Sequence, residues 1–456
     1  MAFMADSAAP RRRWWPLALV LALAALHMLV FDRGLGGDGW ASFAALESVV
    51  DDGDLWLENN LRGVANGVVR GGSGNLVMQY PPGILALDLV PFLAGRALDR
   101  CLPAEWMARG AELPPVGRVP RRVFLEAAAI VLARNLETLL GLAWIALALG
   151  RLGYDERVAA GAAGLAFFGG PLLFYSLVGM SHAPAFALAA LAGWLLVRQR
   201  ENGSARLALA VGMTLGLAAL VRYGAVAWLP AALLAVRGGA RQRLATLAGF
   251  AALLPVLPLV WHASAGGWGP PGYGGQMAIS AASPWNVLFA PRHGLFLFHP
   301  ALLFATAGLL AAVWLGKREG PRSGAATVAL LWFLSIATFN GWWSEWANAG
   351  GYGQRFLIDA LPALALGFAA LLAAGRRRPL VRGLALGGLA AATAAGYLLF
   401  FAAVAGLVQP PPPLRWPQEL ADYRPLAAHP PGPRALGEGL RRASFLARAV
   451  FPQSGP

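Results

Sequence analysis

Long apolar runs follow one another along the chain, and short polar or basic segments separate them. A run of about 20 apolar residues is long enough to cross the hydrocarbon core of a bilayer as a helix. We therefore predict an all-α integral membrane protein with about eleven transmembrane helices. The runs are 14–31, 130–150, 158–177, 183–199, 205–221, 223–236, 244–262, 295–316, 325–343, 357–375 and 383–408.

One further apolar segment, 83–97, decides the orientation. It is short for a span and contains Asp88 and Pro91. If it does not cross, the connections on the side of the N-terminus hold 18 basic residues and the short outer connections hold three, and cytoplasmic loops are the ones enriched in Arg and Lys. We therefore predict a juxtamembrane or re-entrant helix at 83–97, a cytoplasmic N-terminus and an outer C-terminus. The residues placed inside are Arg11, Arg12, Arg13, Arg151, Arg157, Arg198, Arg200, Arg206, Arg237, Arg241, Arg243, Lys317, Arg318, Arg322, Arg376, Arg377, Arg378 and Arg382.

This map divides the chain into a polytopic transmembrane domain, 1–408, and a Pro-rich outer tail, 409–456. Two outer loops, 32–122 and 263–294, interrupt the membrane domain. The first is long for a structureless connection, and loops of that length are usually functional. We expect it to carry juxtamembrane helices and part of the site.

Composition supports the membrane assignment. Of the 456 residues, 57% are hydrophobic and 13% are charged, whereas soluble domains carry about 25% charged residues. The net charge of +14 comes from basic clusters between apolar runs, so we predict a membrane partner and no nucleic acid. A single cysteine, Cys101, excludes an internal disulfide.

A carboxylate lies close to the outer end of the first span. Asp38 stands in Gly36-Gly37-Asp38-Gly39, about seven residues beyond the run. Glycine permits close approach of the backbone to a ligand, and a carboxylate there can remove a proton from an attacking hydroxyl. The competing interpretation is a solvated acid in a turn.

A second acidic group follows in the same loop. Asp51, Asp52 and Asp54 surround Gly53, and carboxylate oxygens are ligands for hard divalent cations. The full spacing of a calcium loop is lacking. These three residues are therefore candidate ligands of a divalent cation, with a turn and helix cap as the alternative.

Three arginines break the charge asymmetry because they fall in short outer connections. Arg222 separates two apolar runs, and Arg292 and Arg355 each precede one. A guanidinium binds phosphate through paired hydrogen bonds. Three of them converging would bind the phosphate of a lipid, whereas separately they would snorkel to anionic headgroups.

An aromatic and polar segment, 340–348, includes Trp343 and Glu345. Aromatic faces stack on sugar rings, and a carboxylate accepts hydrogen bonds from sugar hydroxyls. The alternative is an interfacial aromatic belt. His182, at the start of an apolar run, is a further candidate for binding sugar or acceptor, with a structural role as the alternative.

In the order of its motifs, the chain resembles the GT-C superfamily of membrane glycosyltransferases, which includes protein O-mannosyltransferases and the lipid A aminoarabinose transferase. The motifs cover most of 32–375. They are Gly37-Asp38-Gly39, Asp51-Asp52-Gly53-Asp54-Leu55, Tyr80-Pro81-Pro82-Gly83, Ala133-Arg134-Asn135-Leu136, Met180-Ser181-His182, Pro291-Arg292-His293-Gly294-Leu295-Phe296 and Gly351-Tyr352-Gly353-Gln354-Arg355-Phe356-Leu357-Ile358-Asp359.

The resemblance implies that Asp38 is the catalytic carboxylate and that arginines at outer helix ends hold the donor phosphate. It also makes Tyr80 a candidate for binding sugar or acceptor. Two positions depart from the family pattern. Gly39 follows Asp38 where many relatives have Asp-Glu, and His182 stands where Asp is frequent. These departures leave the acceptor side and the metal requirement open.

The function implied is inverting transfer of a hexosyl or pentosyl group from a polyprenyl-phosphate donor to the hydroxyl of a lipid, glycan or protein. The implied location is the outer face of a bacterial inner membrane. Two alternatives stay open: a transporter or flippase of lipid-linked substrates, and a non-catalytic or polymerase/ligase-type protein of related topology.

Overall fold

The protein is described here from a computed structural model, in which helices account for nearly all regular structure of the described residues. These residues are 14–31, 34–60, 67–102, 111–113, 117–119, 121–272, 284–290, 293–315, 321–343, 352–374 and 379–404. The helices are α1 Trp15–Phe31, α2 Gly37–Glu47, α3 Gly83–Arg100, α4 Arg121–Arg151, α5 Glu156–Phe168, α6 Leu172–Tyr175, α7 His182–Asn202, α8 Ala205–Val221, α9 Leu229–Ala235, α10 Ala240–Leu253, α11 Val256–Ala265, α12 Pro284–Phe289, α13 Leu295–Phe298, α14 Ala301–Leu315, α15 Pro321–Gly341, α16 Leu361–Ala374 and α17 Pro379–Val404.

Among the described residues there are also three short helical turns of other types. They are a π-helical turn over Ser48–Asp52 and 3₁₀ turns over Tyr223–Trp228 and Arg355–Ala360. The last two lead directly into α9 and α16. Each replaces the first turns of an apolar run that the sequence predicts as one continuous helix. The tail 409–456 lies outside the described residues.

Several helices are long and apolar enough to cross a membrane, which confirms the all-α integral membrane class. The long ones are Leu125–Arg151, Ala240–Ala265, Gly324–Gly341, Arg355–Ala374 and Gly383–Phe401. Shorter apolar helices are Trp15–Phe31, Ala205–Val221, Tyr223–Ala235 and Ala301–Trp314. The number of eleven spans stays a prediction.

Proline breaks the predicted run 244–262 at Pro255, between α10 and α11, and two further runs in the same way. The run 158–177 stops at Phe168 and resumes at α6 after Pro171. The run 295–316 is interrupted by Pro300, between α13 and α14. Proline lacks the N–H that a continuous helix needs and its ring collides with the preceding turn. Hydropathy does not register these breaks because the segments stay apolar throughout.

Close helix pairs in the bundle meet at glycine. A Cβ at Gly212 of α8 would lie 2.0 Å from the carbonyl oxygen of Thr246 in α10, and one at Gly367 of α16 would lie 1.9 Å from that of Ala305 in α14. Apolar side chains gain little by associating in lipid, so membrane helices depend on such backbone approach. The abundant glycine of the sequence therefore serves packing at these positions.

Helix α3 packs between α8 and α4. At its beginning Gly83 touches Leu220, near the end of α8, and at its other end Gly95 touches Glu126, near the start of α4. Asp88 and Arg96 of α3 pair with Arg134 and Glu126 of α4, eight residues apart along each helix. Helix α3 therefore runs antiparallel beside the first part of α4. It is not among the described helices that are long and apolar enough to cross a membrane, which agrees with the expected juxtamembrane helix.

Buried ion pairs fasten α3 to α4. The Arg134 guanidinium is fully buried and pairs with Asp88, and Arg96 donates to Glu126 at 2.6 Å. Asp88 weakens the segment as a membrane span. In the folded chain it instead satisfies a cation of the neighbouring helix.

The first loop also contains two short antiparallel hairpins that the apolar pattern did not predict. Strand β1, Val68–Arg70, pairs with β2, Leu76–Met78; β3, Ala111–Leu113, pairs with β4, Gly117–Val119. The tip of the first hairpin is tied to the end of α11, where Ser73 N donates to the carbonyl oxygen of Ala265 at 3.0 Å.

Candidate active site

A cavity of about 190 Å³ lies at the end of the bundle where α3 begins. It is formed by the start of α2, the start of α7, the end of α8, the end of α15 and the 3₁₀ turn before α16. Residues from distant parts of the sequence therefore meet in one place. Six are candidates from the sequence: Asp38, Tyr80, His182, Arg222, Trp343 and Arg355.

Asp38 lies in the first turn of α2, where the helix dipole favours a negative charge. Its Oδ1 accepts a hydrogen bond from the Tyr80 hydroxyl at 2.7 Å, and its Oδ2 accepts one from Arg355 Nη1 at 3.3 Å. The side chains of Asp38 and Arg355 are each 19% exposed. The carboxylate is thus oriented on both oxygens and still open to the cavity.

The glycines beside Asp38 serve packing. A Cβ at Gly36 would lie 2.5 Å from Met180 Cε, and one at Gly39 would lie 2.2 Å from the carbonyl oxygen of Gly179. The start of α2 is therefore pressed against the segment that leads into α7. The sequence predicts that these glycines let the backbone approach a ligand. In the structure, their close neighbours are Met180 and the backbone of Gly179.

Arg222 is the residue that ends α8. Its Nη1 donates to His182 Nδ1 at 2.6 Å, and its Nε lies 3.7 Å from Asp359 Oδ2. Because a guanidinium only donates, that histidine nitrogen is an acceptor. The His182 ring packs against Tyr175 at 4.6 Å, so the imidazole is held in place from both sides.

Phe356 brings the two arginines together. The guanidinium of Arg222 lies 5.7 Å from the centre of its ring and that of Arg355 lies 5.3 Å from it, both within range of a cation–π interaction. Trp343 stacks on the same ring at 5.3 Å. Two cations and an indole thus pack against one aromatic ring.

Arg355 Nε and Asp359 Oδ1 are buried polar atoms of the site without a hydrogen-bond partner among the described residues. A buried polar atom without a partner costs free energy unless a ligand or water satisfies it. Arg355 Nε is a donor on the cation beside Asp38. It can therefore donate a hydrogen bond to an anion that binds in the site.

A comparison with solved structures identifies the architecture. ArnT from Cupriavidus metallidurans, in its structure bound to undecaprenyl phosphate, aligns over 96% of this chain and 75% of its own with a TM-score of 0.52 and 15% identity. The chain has the GT-C fold. This confirms the fold that the order of motifs implies.

A second GT-C structure, the oligosaccharyltransferase of Archaeoglobus fulgidus in complex with zinc and sulfate, aligns over 83% of this chain with a TM-score of 0.48 and 15% identity. The chain spans about half of that protein's length, 52%. The sequence matches no established protein family and no curated protein.

Within the GT-C fold, the acidic run of the first loop does not gather into a metal site. Asp51 accepts from Arg96 at 2.5 and 3.0 Å, Asp52 from Asn60 at 2.8 Å, and Asp54 from Ser48 at 2.8 Å. In the described part of the chain, no group of three His, Cys, Asp or Glu side chains is arranged to hold a metal ion. The divalent-cation interpretation of these residues stays a prediction.

The turn interpretation fits that run better, with one difference in detail. The cap is at the end of a helix instead of its beginning, since Gly53 closes the π-helical turn in the left-handed conformation with φ of 74°. Glycine adopts that conformation without strain.

Two candidates, Arg292 and Glu345, lie outside the described residues. The cavity is also lined by residues that are not among the candidates from the sequence. Of these, Gln79, Ser181, Asn340 and Phe356 carry no charge, and Asp359 lies at the end of a recognised motif. Asp359 had a sequence signal, since an acid between two apolar stretches is costly in a membrane helix unless it has a partner.

Proposed function

We propose that the protein is a membrane glycosyltransferase that moves a sugar from a polyprenyl-phosphate donor to an acceptor hydroxyl. The observation that carries this proposal is the contact between Asp38 and Arg355 in a cavity that also holds Arg222. A base for the acceptor and cations for a phosphate lie side by side, and both are required for the reaction. The fold shared with an undecaprenyl-phosphate-bound protein supports the choice of donor.

The donor phosphate is expected to bind between the two arginines. Arg355 Nε has no partner among the described residues, and charge-assisted hydrogen bonds from guanidinium to phosphate are strong and geometrically specific. Arg355 Nη1 lies 3.3 Å from Asp38 Oδ2, and each side chain is 19% exposed. A phosphate bound by Arg355 would compete with Asp38 for this guanidinium and release one oxygen of Asp38.

The transfer is a single displacement. Asp38 accepts the proton of the acceptor hydroxyl while that oxygen bonds to the anomeric carbon, and the bond from this carbon to the phosphate oxygen breaks. The electron pair leaves with the polyprenyl phosphate, whose charge the two guanidiniums stabilise. One displacement inverts the anomeric centre. Tyr80 holds the other oxygen of Asp38 in place.

The location follows from the charge pattern of the loops. The helix ends remote from the cavity carry basic residues, with Arg200 at the end of α7, Arg206 at the start of α8 and Arg322 at the start of α15, and by the positive-inside rule such an end is cytoplasmic. We accordingly assign the cavity to the outer face of a bacterial inner membrane. The acceptor, which is a lipid, glycan or protein, then approaches from outside.

A transporter is the competing function, and transporters place ionisable groups near the middle of their spans. His27 is a buried ionisable residue of α1. Its two ring nitrogens are engaged by the carbonyl oxygen of Leu173 at 3.1 Å and by the Tyr397 hydroxyl at 3.2 Å. These contacts join three helices and favour a structural role for His27.

The test is transfer by purified protein supplied with a panel of radiolabelled polyprenyl-phosphate sugars and candidate acceptors. We expect Asp38→Asn to reduce turnover by at least about 10²-fold, because the amide cannot accept the proton. Glu201→Gln, which changes an exposed acid at the end of α7 remote from the cavity, is the control. Turnover by Asp38→Asn at the level of this control would contradict the catalytic role.

A further inference from the structure

A second cavity, of about 100 Å³, lies between α4, α7, α15 and α16. Along α7 its lining runs from Ala190 to Arg200, which corresponds to about 15 Å at the helical rise. That is about half of the 30 Å hydrocarbon thickness of a bilayer, and therefore the depth of one leaflet. We call this cavity the leaflet slot.

The leaflet slot lies below the candidate active site and is separated from it. On α15 the slot is lined by Val328 and Trp332, whereas the active-site cavity is lined by Ile336 and Asn340 of the same helix. Trp332 stacks on the fully buried Trp228 at 5.4 Å. Trp332 is thus the residue of the slot lining that lies nearest along α15 to the active-site cavity, and Arg200 lines the opposite end of the slot.

The lining of the leaflet slot is apolar except at that opposite end. Arg200 is the charged residue among those that line it, and its Nη1 donates to the carbonyl oxygen of Ala235 at 3.1 Å. Arg322 lies beside the mouth, where its Nε donates to the carbonyl oxygen of Leu152 at 3.0 Å. Both acceptors belong to residues that line the slot, and each guanidinium has further N–H groups.

An apolar channel one leaflet deep with two fixed guanidiniums at its mouth matches the chemistry of an anionic phospholipid. Basic pockets between membrane helices bind such headgroups on the cytoplasmic side, and a hydrocarbon chain would restore the packing contacts that an empty cavity lacks. We propose that the leaflet slot binds one acyl chain of an anionic phospholipid, with the phosphate on Arg200 and Arg322. This site is separate from the donor site.

The chain offers a steric probe of the slot. Gly193 lines it, and a Cβ added there meets no atom within 4 Å. Gly193→Leu therefore places a side chain in the space meant for the acyl chain without displacing the backbone. Gly387→Leu is the matched control, because Gly387 of α17 also has no atom within 4 Å of an added Cβ.

The experiment measures lipid retention by the full-length purified protein. Native mass spectrometry counts phosphatidylglycerol bound after titration, with phosphatidylcholine as the zwitterionic comparison. We expect phosphatidylglycerol to bind at least about tenfold more tightly than phosphatidylcholine. Gly193→Leu and the double variant Arg200→Gln/Arg322→Gln should each abolish that preference, while Gly387→Leu should leave it unchanged.

Three results would overturn the proposal: equal binding of both lipids, unchanged retention in Gly193→Leu, or retention of a polyprenyl phosphate in place of a phospholipid. If Gly193→Leu does not fold, the double arginine variant decides alone. The glycosyl-transfer assay is independent of this measurement. Failure of the lipid site therefore leaves the proposed reaction standing, and the reverse also holds.

Discussion

Asp38 and Arg355, 317 positions apart in the sequence, form an ion pair at 3.3 Å inside the candidate active site. The same guanidinium stacks on Phe356, and the same carboxylate accepts a hydrogen bond from Tyr80. The proposed base and the proposed phosphate ligand are therefore coupled before any substrate arrives. A donor phosphate that binds Arg355 changes the surroundings of Asp38 at the same time.

The first prediction concerns that guanidinium. Arg355→Gln should raise the donor KM about 10- to 100-fold, since a hydrogen bond to a charged group contributes about 1.5–3 kcal/mol. Arg355→Lys should recover only part of the loss, because lysine keeps the charge without the planar fork. Initial rates over a range of donor concentrations measure the effect. The control is Arg100→Gln at an exposed position of α3, and a donor KM equal to that of this control would remove Arg355 from the donor site.

Tyr80 gives the second prediction. Tyr80→Phe removes the hydroxyl that donates to Asp38 Oδ1 and should lower kcat about tenfold with little change in donor KM, because the base loses orientation. Steady-state kinetics separate the two constants. Tyr154→Phe, which removes a buried hydroxyl outside the cavity lining, should leave both constants unchanged. A rise in KM at constant kcat would instead make Tyr80 a binding residue.

Part of this site could be predicted from the sequence. Hydropathy and the distribution of basic residues predict the helical membrane class, and an arginine in a short outer connection stands out because it breaks the asymmetry. This break in the asymmetry identifies Arg222 and Arg355 as candidate phosphate ligands. The pairing of Arg222 with His182 could not be predicted, since a lone histidine at a helix start carries no information about a partner 40 positions away.

Other features had no sequence signal of their own. Phe356 supports both guanidiniums, yet one aromatic residue among 22 phenylalanines is indistinguishable from the rest. The breaks at Pro171 and Pro300 lie in segments whose hydropathy is uniform. In the run from Asp51 to Asp54, each carboxylate accepts a hydrogen bond from its own protein donor. The spacing of the acids in the sequence does not reveal these donors.

The third prediction concerns folding at the start of α2. Gly39→Ala would bring a methyl group to 2.2 Å from the backbone oxygen of Gly179, and backbone cannot move aside as a flexible side chain can. Overpacking of this kind costs about 1–3 kcal/mol, so the melting temperature in detergent should fall. Gly387→Ala, with no atom near the added Cβ, should not lower it. An unchanged melting temperature for Gly39→Ala would mean that α2 does not press on the segment before α7.

The fourth prediction tests whether Arg222 and Arg355 serve one phosphate. Both guanidiniums lie beside the Phe356 ring, at 5.7 and 5.3 Å, and both line the cavity, so we expect one phosphate in the cavity to contact both. If they bind the same group, loss of either one weakens the contribution of the other, and the free-energy effects on donor binding will not add. Residues with a common partner show interaction energies of about 0.5–3 kcal/mol.

A double-mutant cycle measures this coupling. Donor dissociation constants are determined for Arg222→Gln, Arg355→Gln and the double variant, and the cycle Arg100→Gln with Arg355→Gln gives the additive reference. We expect the double variant to lose clearly less affinity than the sum of the two single losses. Strict additivity would mean that the two cations act on different groups, with Arg222 held by Asp359 and His182 for the structure of the site alone.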